Sequence, residues 1–289
     1  MNFAETVKDI VISSINNSFN ENSLWLRNKY LSDSEDAREF IRHRLKSIQK
    51  RKKSCISLEE IKYLCRALKE NQEHPGYVKN YNTFIPPKGT LNRWNPDNKI
   101  FLYLSCSLSE ISSSGEEWNQ CELTCINEIR ADSNVKISIV EFFINDQFKD
   151  MKVLNLDIEE DYLDSNFDEG REKIDEMFDP SKNEIEDIRG TLDNMMVGFC
   201  KTLEKSVGEV RENFFLENIF RPIDEDGELQ IEYKLFHILA EEIEKLGYVG
   251  ILYPSTRMSL IGKSGLNLVL FDVKKYCVPG IEIKHGVYK

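Results

Sequence analysis

The sequence predicts an α+β protein, in which a strand-rich core follows a helical N-terminal region and is divided by a helical insertion. Two changes of hydrophobic period support this prediction. Before about residue 72 the apolar positions recur at helical spacing, whereas between about 77 and 157 they form short apolar or alternating runs. From about 158 to 230 the helical period returns, and short strands follow. With 289 residues, the chain suits one large domain or two modest ones.

The N-terminal region is expected to contain two helices before residue 72. The segment "DSEDAREFIRHRLKSIQ" begins with acids and ends with bases, which complements a helix dipole. The segment "SLEEIKYLCRALKE" begins with a capping box, Ser57 and Glu60, and its apolar residues recur at helical spacing. We therefore place a helical region at 1–76 and the main domain at 77–289.

The main domain begins with strands. The runs at 99–105, 135–144 and 151–157 are apolar or alternate, and the second is rich in β-branched and aromatic residues. One amphipathic stripe then extends over about 30 residues of the acidic insertion at 158–230. We interpret it as packing on its own domain, with binding of a partner or a second copy as the alternative. A helix at 231–250 and strands at "YVGILYPS" and 266–272 complete the pattern.

Composition restricts the classes of function. The net charge is −12, and residues 157–187 alone hold 14 acids against three bases. This excess of negative charge argues against general nucleic-acid binding. The basic run at 42–53 is interpreted as the solvated face and end of a helix, with a phosphate or partner contact as the alternative. No apolar run approaches the ~20 residues of a membrane span, and the N-terminus lacks a signal-peptide core, so we expect a cytoplasmic protein.

The seven cysteines are scattered along the chain, as is typical of free thiols in a reducing compartment. Cys121 and Cys125 have the spacing of a metal-binding pair. No second pair of cysteine or histidine residues lies nearby, so plain thiols are favoured and no metal is expected.

Four short segments contain candidate functional residues. Arg93 precedes Tyr103 by ten residues in "LNRWNPDNKIFLYLS". Arginine suits a pyrophosphate, and a tyrosine ring can stack on a heterocycle. Glu128 lies in "INEIR", and Ser255 ends the strand "YVGILYPS". Each of these residues alone has an ordinary structural explanation: a surface arginine, a core tyrosine, a helix carboxylate or a strand end.

The fourth segment is the helix at 231–250. Tyr233 and His237 lie one turn apart on one face of this helix. A lone histidine there is usually a structural group, and a ligand-binding role is the alternative. No GxSxG hydrolase elbow is present, and "GKSG" lacks the upstream glycine of a phosphate-binding Walker A loop.

In this order, the segments resemble the RES domain family. The family pattern has a Pro-Pro segment, a Gly-Arg-x-Asn-Pro turn, a Tyr-Leu-Ala/Ser strand and a Glu-Val-Arg-Pro segment. A Tyr-x-x-Thr-Gln helix, a Gly-x-x-Gly-Ile-x-Tyr-x-Ser strand and Asn-x-x-x-Phe follow. The corresponding segments here are "FIPP", "NRWNP", "YLS", "NEIRAD", "YKLFH", "GYVGILYPS" and "NLVLF", over about residues 84 to 272.

The resemblance implies an ADP-ribosyltransferase-related fold and cleavage of the nicotinamide–ribose bond of NAD⁺ by phosphate or water. Such proteins are typically toxins of bacterial toxin–antitoxin pairs, so it also implies a helix-turn-helix antitoxin as a partner; a homo-oligomer is a further expectation. By motif position, Arg93, Tyr103, Glu128 and Ser255 match functional residues. Arg93 would hold the pyrophosphate, Tyr103 would stack on nicotinamide, and Ser255 would bond the ribose or carboxamide.

The implied chemistry suits a carboxylate, because ribosyl cleavage passes through an oxocarbenium-like state that Glu128 would stabilise. Tyr233 and His237 are further candidates for binding NAD⁺. Inorganic phosphate as a co-substrate would need a second anion site, for which Arg130 and Arg257 are candidates. Two alternatives remain: ADP-ribosylation of a macromolecule, and a non-catalytic scaffold that binds a partner.

The sequence departs from the family pattern at several positions. Asn92 replaces glycine, Ala131 replaces proline, and Phe236-His237 replaces Thr-Gln. Extra residues separate Tyr103 from the glutamate motif. The carboxylates at 110, 116, 117 and 122 therefore compete with Glu128 for its role.

Overall fold

The computed structural model describes residues 35–51, 53–71, 75–86, 93–96, 99–111, 117–157 and 229–288. All of them belong to one of the two compact units into which the chain divides, formed by residues 29–157 and 220–289. The predicted insertion lies almost wholly outside the described residues, so its amphipathic stripe stays a prediction.

The described unit is built on one mixed sheet of eight strands. In the order β1-β5-β6-β7-β3-β2-β4-β8, all neighbours are antiparallel except β5 and β6, which are parallel. The fold is therefore mixed α/β. The strands are β1 (Cys55–Ser57), β2 (Tyr63–Lys69), β3 (Leu102–Ser107), β4 (Val135–Ile144), β5 (Lys152–Asn155), β6 (Gly250–Pro254), β7 (Leu266–Leu270) and β8 (Cys277–Tyr288).

Four α-helices accompany the sheet among the described residues: α1 (Glu35–Ile48), α2 (Gln120–Glu128), α3 (Leu229–Lys245) and α4 (Thr256–Leu260). Short 3₁₀ helices occur at Leu58–Glu60, Tyr81–Phe84 and Asp146–Phe148. Asn119 begins α2 with a capping box, in which its side chain accepts the Glu122 N–H at 2.9 Å. None of the described helices has the length and apolarity needed to cross a membrane.

The alternation of side chains along β3 separates the core from the candidate site. Leu102, Leu104 and Cys106 belong to the larger apolar cluster on one face. Tyr103 and Ser105 point to the opposite face, because successive strand residues alternate. On that face, α2 covers β2 through a second cluster that includes Cys65, Ala67 and Ile126.

The predicted helix over "SLEEIKYLCRALKE" is wrong. The capping box forms, with the Ser57 N–H donating to Glu60 Oε1 at 2.7 Å, but it starts only one 3₁₀ turn. Strand β2 follows, paired with β3 on one side and β4 on the other. A central strand is buried on both faces, so its near-continuous apolar residues also satisfy helical spacing, and tertiary pairing overrides local propensity. The sheet thus begins at Cys55, well before the predicted boundary at 76.

Most other predicted elements are confirmed. The strand at 135–144 has the predicted bounds, and α1 and α3 match the predicted helices to within a few residues at most ends. Strands β3, β5, β6 and β7 occur where expected, with shorter or shifted ends. Strand β1, the edge strand β8 and helices α2 and α4 were not among the predicted elements.

Strands β2 and β3 separate at one end and form a fork. Their pairing runs from Tyr63↔Ser107 to Cys65↔Ser105 and goes no further. Beyond that point β2 stays paired with β4 as far as Lys69, and β3 with β7 as far as Leu102. The fork therefore opens beside Tyr103.

A buried carboxylate joins α1 to α3. Glu242, whose side chain is 3% exposed, accepts hydrogen bonds from Arg42 Nε and Lys245 Nζ, both at 2.7 Å, and from Arg38 Nη1 at 3.2 Å. Burial opposes ionisation, but the bonds from Arg42 and Lys245 outweigh it and hold the pKa of Glu242 at about 2, below the usual 4.5. Folding therefore stabilises the ionised form of Glu242.

We expect Glu242→Gln to lower the free energy of unfolding by about 2 kcal/mol at pH 7, the scale of hydrogen bonds to a charged group. Because the folded-state pKa is depressed, this stabilisation is present above about pH 4.5 and is lost as the pH falls toward 2. Denaturant titrations at pH 7 and pH 3 measure it. Glu241→Gln is the matched control, because Glu241 is 31% exposed and its pair with Arg38 should contribute under about 1 kcal/mol. If the Glu242→Gln variant and wild type differ in the free energy of unfolding by the same amount at both pH values, the charge of Glu242 is not the source of the stabilisation.

Candidate functional site

The candidate site centres on the carboxylate of Glu128. Glu128 is the last residue of α2, which brings it beside the end of β6 and the middle of β7. Ser255 Oγ donates a hydrogen bond to Glu128 Oε1 at 2.6 Å, and Asn267 Nδ2 donates to the same oxygen at 2.7 Å. Among the described residues, none donates a hydrogen bond to Oε2. One oxygen is thus held in place, and the other is available to a ligand.

Ser255 connects the carboxylate to a helix start. It follows the last residue of β6 and caps α4, where its Oγ accepts the Met258 N–H at 3.2 Å. The residue is 1% exposed and gives its single hydroxyl proton to Glu128. The geometry makes Ser255 a positioning residue for Glu128. Its predicted contact with ribose or carboxamide stays a prediction.

Asn267 and Ser105 form the second support. Ser105 Oγ donates to Asn267 Oδ1 at 3.2 Å, which directs the amide nitrogen of Asn267 toward Glu128. Both residues are buried, at 2% and 4% exposure. Sequence reasoning assigned neither a role, although Asn267 begins the "NLVLF" segment and Ser105 ends "YLS". Only the pairing of β3 with β7 places them together.

The carboxylates that compete with Glu128 lie in other surroundings. Glu122 is buried, but it accepts the Asn119 N–H at 2.8 Å and pairs with Lys284 Nζ at 2.7 Å. Glu110 and Glu117 are exposed, and residue 116 lies outside the described residues. Of the carboxylates described in this part of the chain, Glu128 is the one held by Ser255 and Asn267.

Tyr103 holds the turn that carries Arg93. Its hydroxyl accepts the Trp94 N–H at 2.8 Å and donates to Asn95 Oδ1 at 3.1 Å. Asn95 Oδ1 also accepts the Phe101 N–H at 3.3 Å, which closes the turn onto the start of β3. The hydroxyl of Tyr103 therefore makes its hydrogen bonds to the Arg93 turn. Stacking of the Tyr103 ring on nicotinamide stays a prediction.

An aromatic group surrounds the same turn. The Arg93 guanidinium lies over the Phe236 ring, 5.2 Å from its centroid, in a cation–π contact. The Trp94 ring meets Phe236 edge-on at 5.1 Å and lies 5.4 Å from Tyr253. Phe236 is a position where the sequence departs from the family pattern. An aromatic residue there supports the arginine, which a threonine could not do.

Electrostatic effects link the arginine to the carboxylate. Burial raises the pKa of Tyr253, the charge of Glu128 raises it further, and Arg93 lowers it. Burial likewise raises the pKa of Tyr103, with Tyr253 and Tyr233 adding to the rise and Arg93 opposing it. The charges of Arg93 and Glu128 therefore both act on Tyr253, in opposite directions. These interactions also include Tyr233, whose ring is 6.5 Å from that of His237.

Gly265, just before β7, lies against both α2 and α4. A Cβ atom there would overlap Thr124 Oγ1 of α2 and lie 2.9 Å from Met258 Cγ of α4. The Gly265 carbonyl also accepts the Ser255 N–H at 2.7 Å. The absent side chain thus permits the helix approach that joins Glu128 to Ser255.

We expect Gly265→Ala to destabilise the protein by about 1–3 kcal/mol, the usual effect of overpacking. It should also weaken the bond between Glu128 and Ser255, because the two helices must separate. Thermal unfolding measures the first effect. Gly262→Ala is the matched control: no atom lies within 4 Å of its added Cβ, although its φ of +67° imposes some backbone strain. A Gly265→Ala variant as stable as wild type would contradict this packing.

No family model, no curated protein and no solved structure matches this chain.

Proposed function

We propose that this protein cleaves the nicotinamide–ribose bond of NAD⁺, on a fold related to the ADP-ribosyltransferases. The observation that carries the proposal is the environment of Glu128, whose Oε1 takes two hydrogen bonds while Oε2 receives none from the described residues. A carboxylate fixed in this way provides negative charge at a defined point without reorganisation during reaction. The RES-domain resemblance names the same residue.

The cleavage requires positive charge to develop on the ribose. The C–N bond breaks, and both of its electrons leave with nicotinamide, which departs neutral. The ribose carbon passes through an oxocarbenium-like state that an adjacent carboxylate stabilises. A phosphate oxygen or a water oxygen then bonds to that carbon, and water releases one proton. Glu128 is suited to stabilising the cation and orienting the acceptor.

Arg93 is suited to binding the pyrophosphate of NAD⁺. Its guanidinium is supported by Phe236 and forms no ion pair with a carboxylate in the described part of the chain. A permanently charged, planar group that is positioned but unneutralised favours a phosphate ligand. In this proposal the protein is a toxin or a defence effector, since its activity depletes NAD⁺.

The direct test is to incubate the purified protein with labelled NAD⁺, with and without inorganic phosphate, and to quantify nicotinamide. Release only with phosphate identifies phosphorolysis, and release without it identifies hydrolysis. Nicotinamide release accompanied by labelling of a protein or nucleic acid would instead identify an ADP-ribosyltransferase. Absence of nicotinamide in every condition, with the protein folded, would refute the proposal.

A further inference from the structure

Three free thiols join helix α2 to strand β2, on the face of the sheet that carries the candidate site. Cys65 Sγ of β2 forms a hydrogen bond with Cys121 Sγ of α2, and the two sulfur atoms are 3.6 Å apart. One turn further along α2, Cys125 Sγ donates to the Cys65 carbonyl at 3.6 Å and accepts the Ala67 N–H at 2.9 Å. The helix is therefore held against the strand by contacts to sulfur.

The surroundings of the three thiols decide which of them an oxidant meets first. All three belong to the apolar cluster between α2 and the sheet. Cys65 has no exposure, and its burial raises the pKa of its thiol well above the usual value. Cys121 and Cys125 are 3% and 5% exposed. A small neutral oxidant such as hydrogen peroxide therefore reaches the thiols of α2 before that of Cys65.

The strand register connects Cys65 to the support of Glu128. Cys65 lies opposite Ser105 in the pairing of β2 with β3, and Ser105 lies opposite Asn267 in the pairing of β3 with β7. Ser105 bonds Asn267, and Asn267 bonds Glu128 Oε1. Cys65 is thus the next residue in the row of the sheet that positions the carboxylate.

Helix α2 supplies a second connection. Cys121 lies in its first turn and Glu128 is its last residue, about two turns away. Thr124, between them, lies directly against Gly265, where even a Cβ atom would overlap its Oγ1. The helix therefore has little room to shift, and a shift would disturb the bonds of 2.6 and 2.7 Å that hold Glu128.

We propose that Cys65 and Cys121 form an oxidation site, at which a peroxide makes a disulfide that moves α2 and thereby displaces Glu128. The two sulfur atoms must approach from 3.6 Å to about 2 Å. A disulfide of this kind is transient in a reducing compartment, as is typical of redox-sensing pairs. The effect on catalysis rests on the proposed function, whereas the formation of the disulfide does not.

The oxidation uses two electrons and one molecule of hydrogen peroxide. The Cys121 thiol attacks the O–O bond, which gives a sulfenic acid and one water. The Cys65 sulfur then displaces the hydroxyl group of this sulfenic acid, and its proton leaves with that group as a second water. A dithiol reductant reverses the reaction by thiol–disulfide exchange and is itself oxidised to a disulfide.

The test combines peptide mapping with nicotinamide release from NAD⁺. The reduced protein is treated with hydrogen peroxide, and its disulfides are identified by mass spectrometry. Nicotinamide release is measured before treatment, after it, and after addition of dithiothreitol. We expect a disulfide between Cys65 and Cys121, a fall in release of about 10- to 100-fold, the scale for misplacing a catalytic group by about 1 Å, and recovery with the reductant.

Two variants provide the comparison. Cys121→Ala cannot form the disulfide, so its nicotinamide release should resist peroxide. Cys55→Ala is the matched control, because it removes a free, half-buried thiol on β1 that lies outside the cluster. It should remain as sensitive to peroxide as wild type. The mapping of wild type decides whether the disulfide forms even if a variant fails to fold.

Several results would overturn the proposal. The oxidation site is refuted if Cys65 and Cys121 stay reduced under peroxide that oxidises Cys55, or if Cys65 is bridged to Cys125 instead. Its control of Glu128 is refuted if the disulfide forms without loss of nicotinamide release, or if Cys121→Ala is inhibited as strongly as wild type. A protein that forms the disulfide but releases no nicotinamide in any state refutes the proposed function and leaves the oxidation site standing.

Discussion

Replacing Glu128 by glutamine is expected to lower kcat for nicotinamide release from NAD⁺ by about 10²–10³-fold, the scale seen when one preorganised electrostatic group is removed. Glutamine has the shape of glutamate, so its amide oxygen can still accept the bonds from Ser255 and Asn267. The substitution removes the negative charge and replaces Oε2 by an amide nitrogen, while the shape of the side chain is kept. A loss of this size would therefore report stabilisation of the developing cation rather than a change of fold.

The measurement is steady-state nicotinamide release, with thermal unfolding to show that the variant is folded. Glu110→Gln is the matched control, because Glu110 is an exposed glutamate, whereas Ser255 and Asn267 donate their hydrogen bonds to Glu128. It should retain wild-type turnover. Full turnover in Glu128→Gln, or an equal loss in Glu110→Gln, would remove Glu128 from the proposed mechanism.

Replacing Arg93 by alanine should raise KM for NAD⁺ by about 10- to 100-fold, which corresponds to charge-assisted hydrogen bonds of about 1.5–3 kcal/mol. The guanidinium binds the pyrophosphate, which is remote from the bond that breaks, so kcat should change less than KM. Arg93→Lys keeps the charge but loses the planar contact with Phe236, and an intermediate KM is expected.

The comparison with ADP-ribose separates binding from chemistry. This molecule retains the pyrophosphate but lacks nicotinamide, so Arg93→Ala should weaken its binding by a factor similar to the rise in KM. A variant with unchanged KM and unchanged ADP-ribose affinity would show that the arginine only packs against Phe236. The result would leave the role proposed for Glu128 intact, because that residue is supported by different contacts.

The strands near the site could be predicted because their patterns are local. "VKISIVEFFI" alternates and is rich in β-branched and aromatic residues, and β4 has the predicted bounds. Strand β2 could not be separated from a helix by the same reasoning. Its residues are buried on both sides of a central position in the sheet, so the alternation that would identify a strand is missing.

The candidate site, like the fold, could be predicted only in part. Arg93, Tyr103, Glu128 and Ser255 were singled out by residue type and by the order of motifs. Their contacts could not be predicted, because they depend on non-local register. Asn267 meets Ser105 through the pairing of β3 with β7, and Glu128 meets Ser255 where α2 and α4 pack against Gly265.

By itself, the sequence determined many of the helices and strands, the acidic charge and a set of residues with suitable chemistry, because these are properties of composition and short-range order. The tertiary structure decided which oxygen of Glu128 is held, that Tyr103 supports the Arg93 turn, and that Phe236 lies under the Arg93 guanidinium. The physical reason is that hydrogen-bond partners and burial arise when distant segments pack, and no local pattern records that packing.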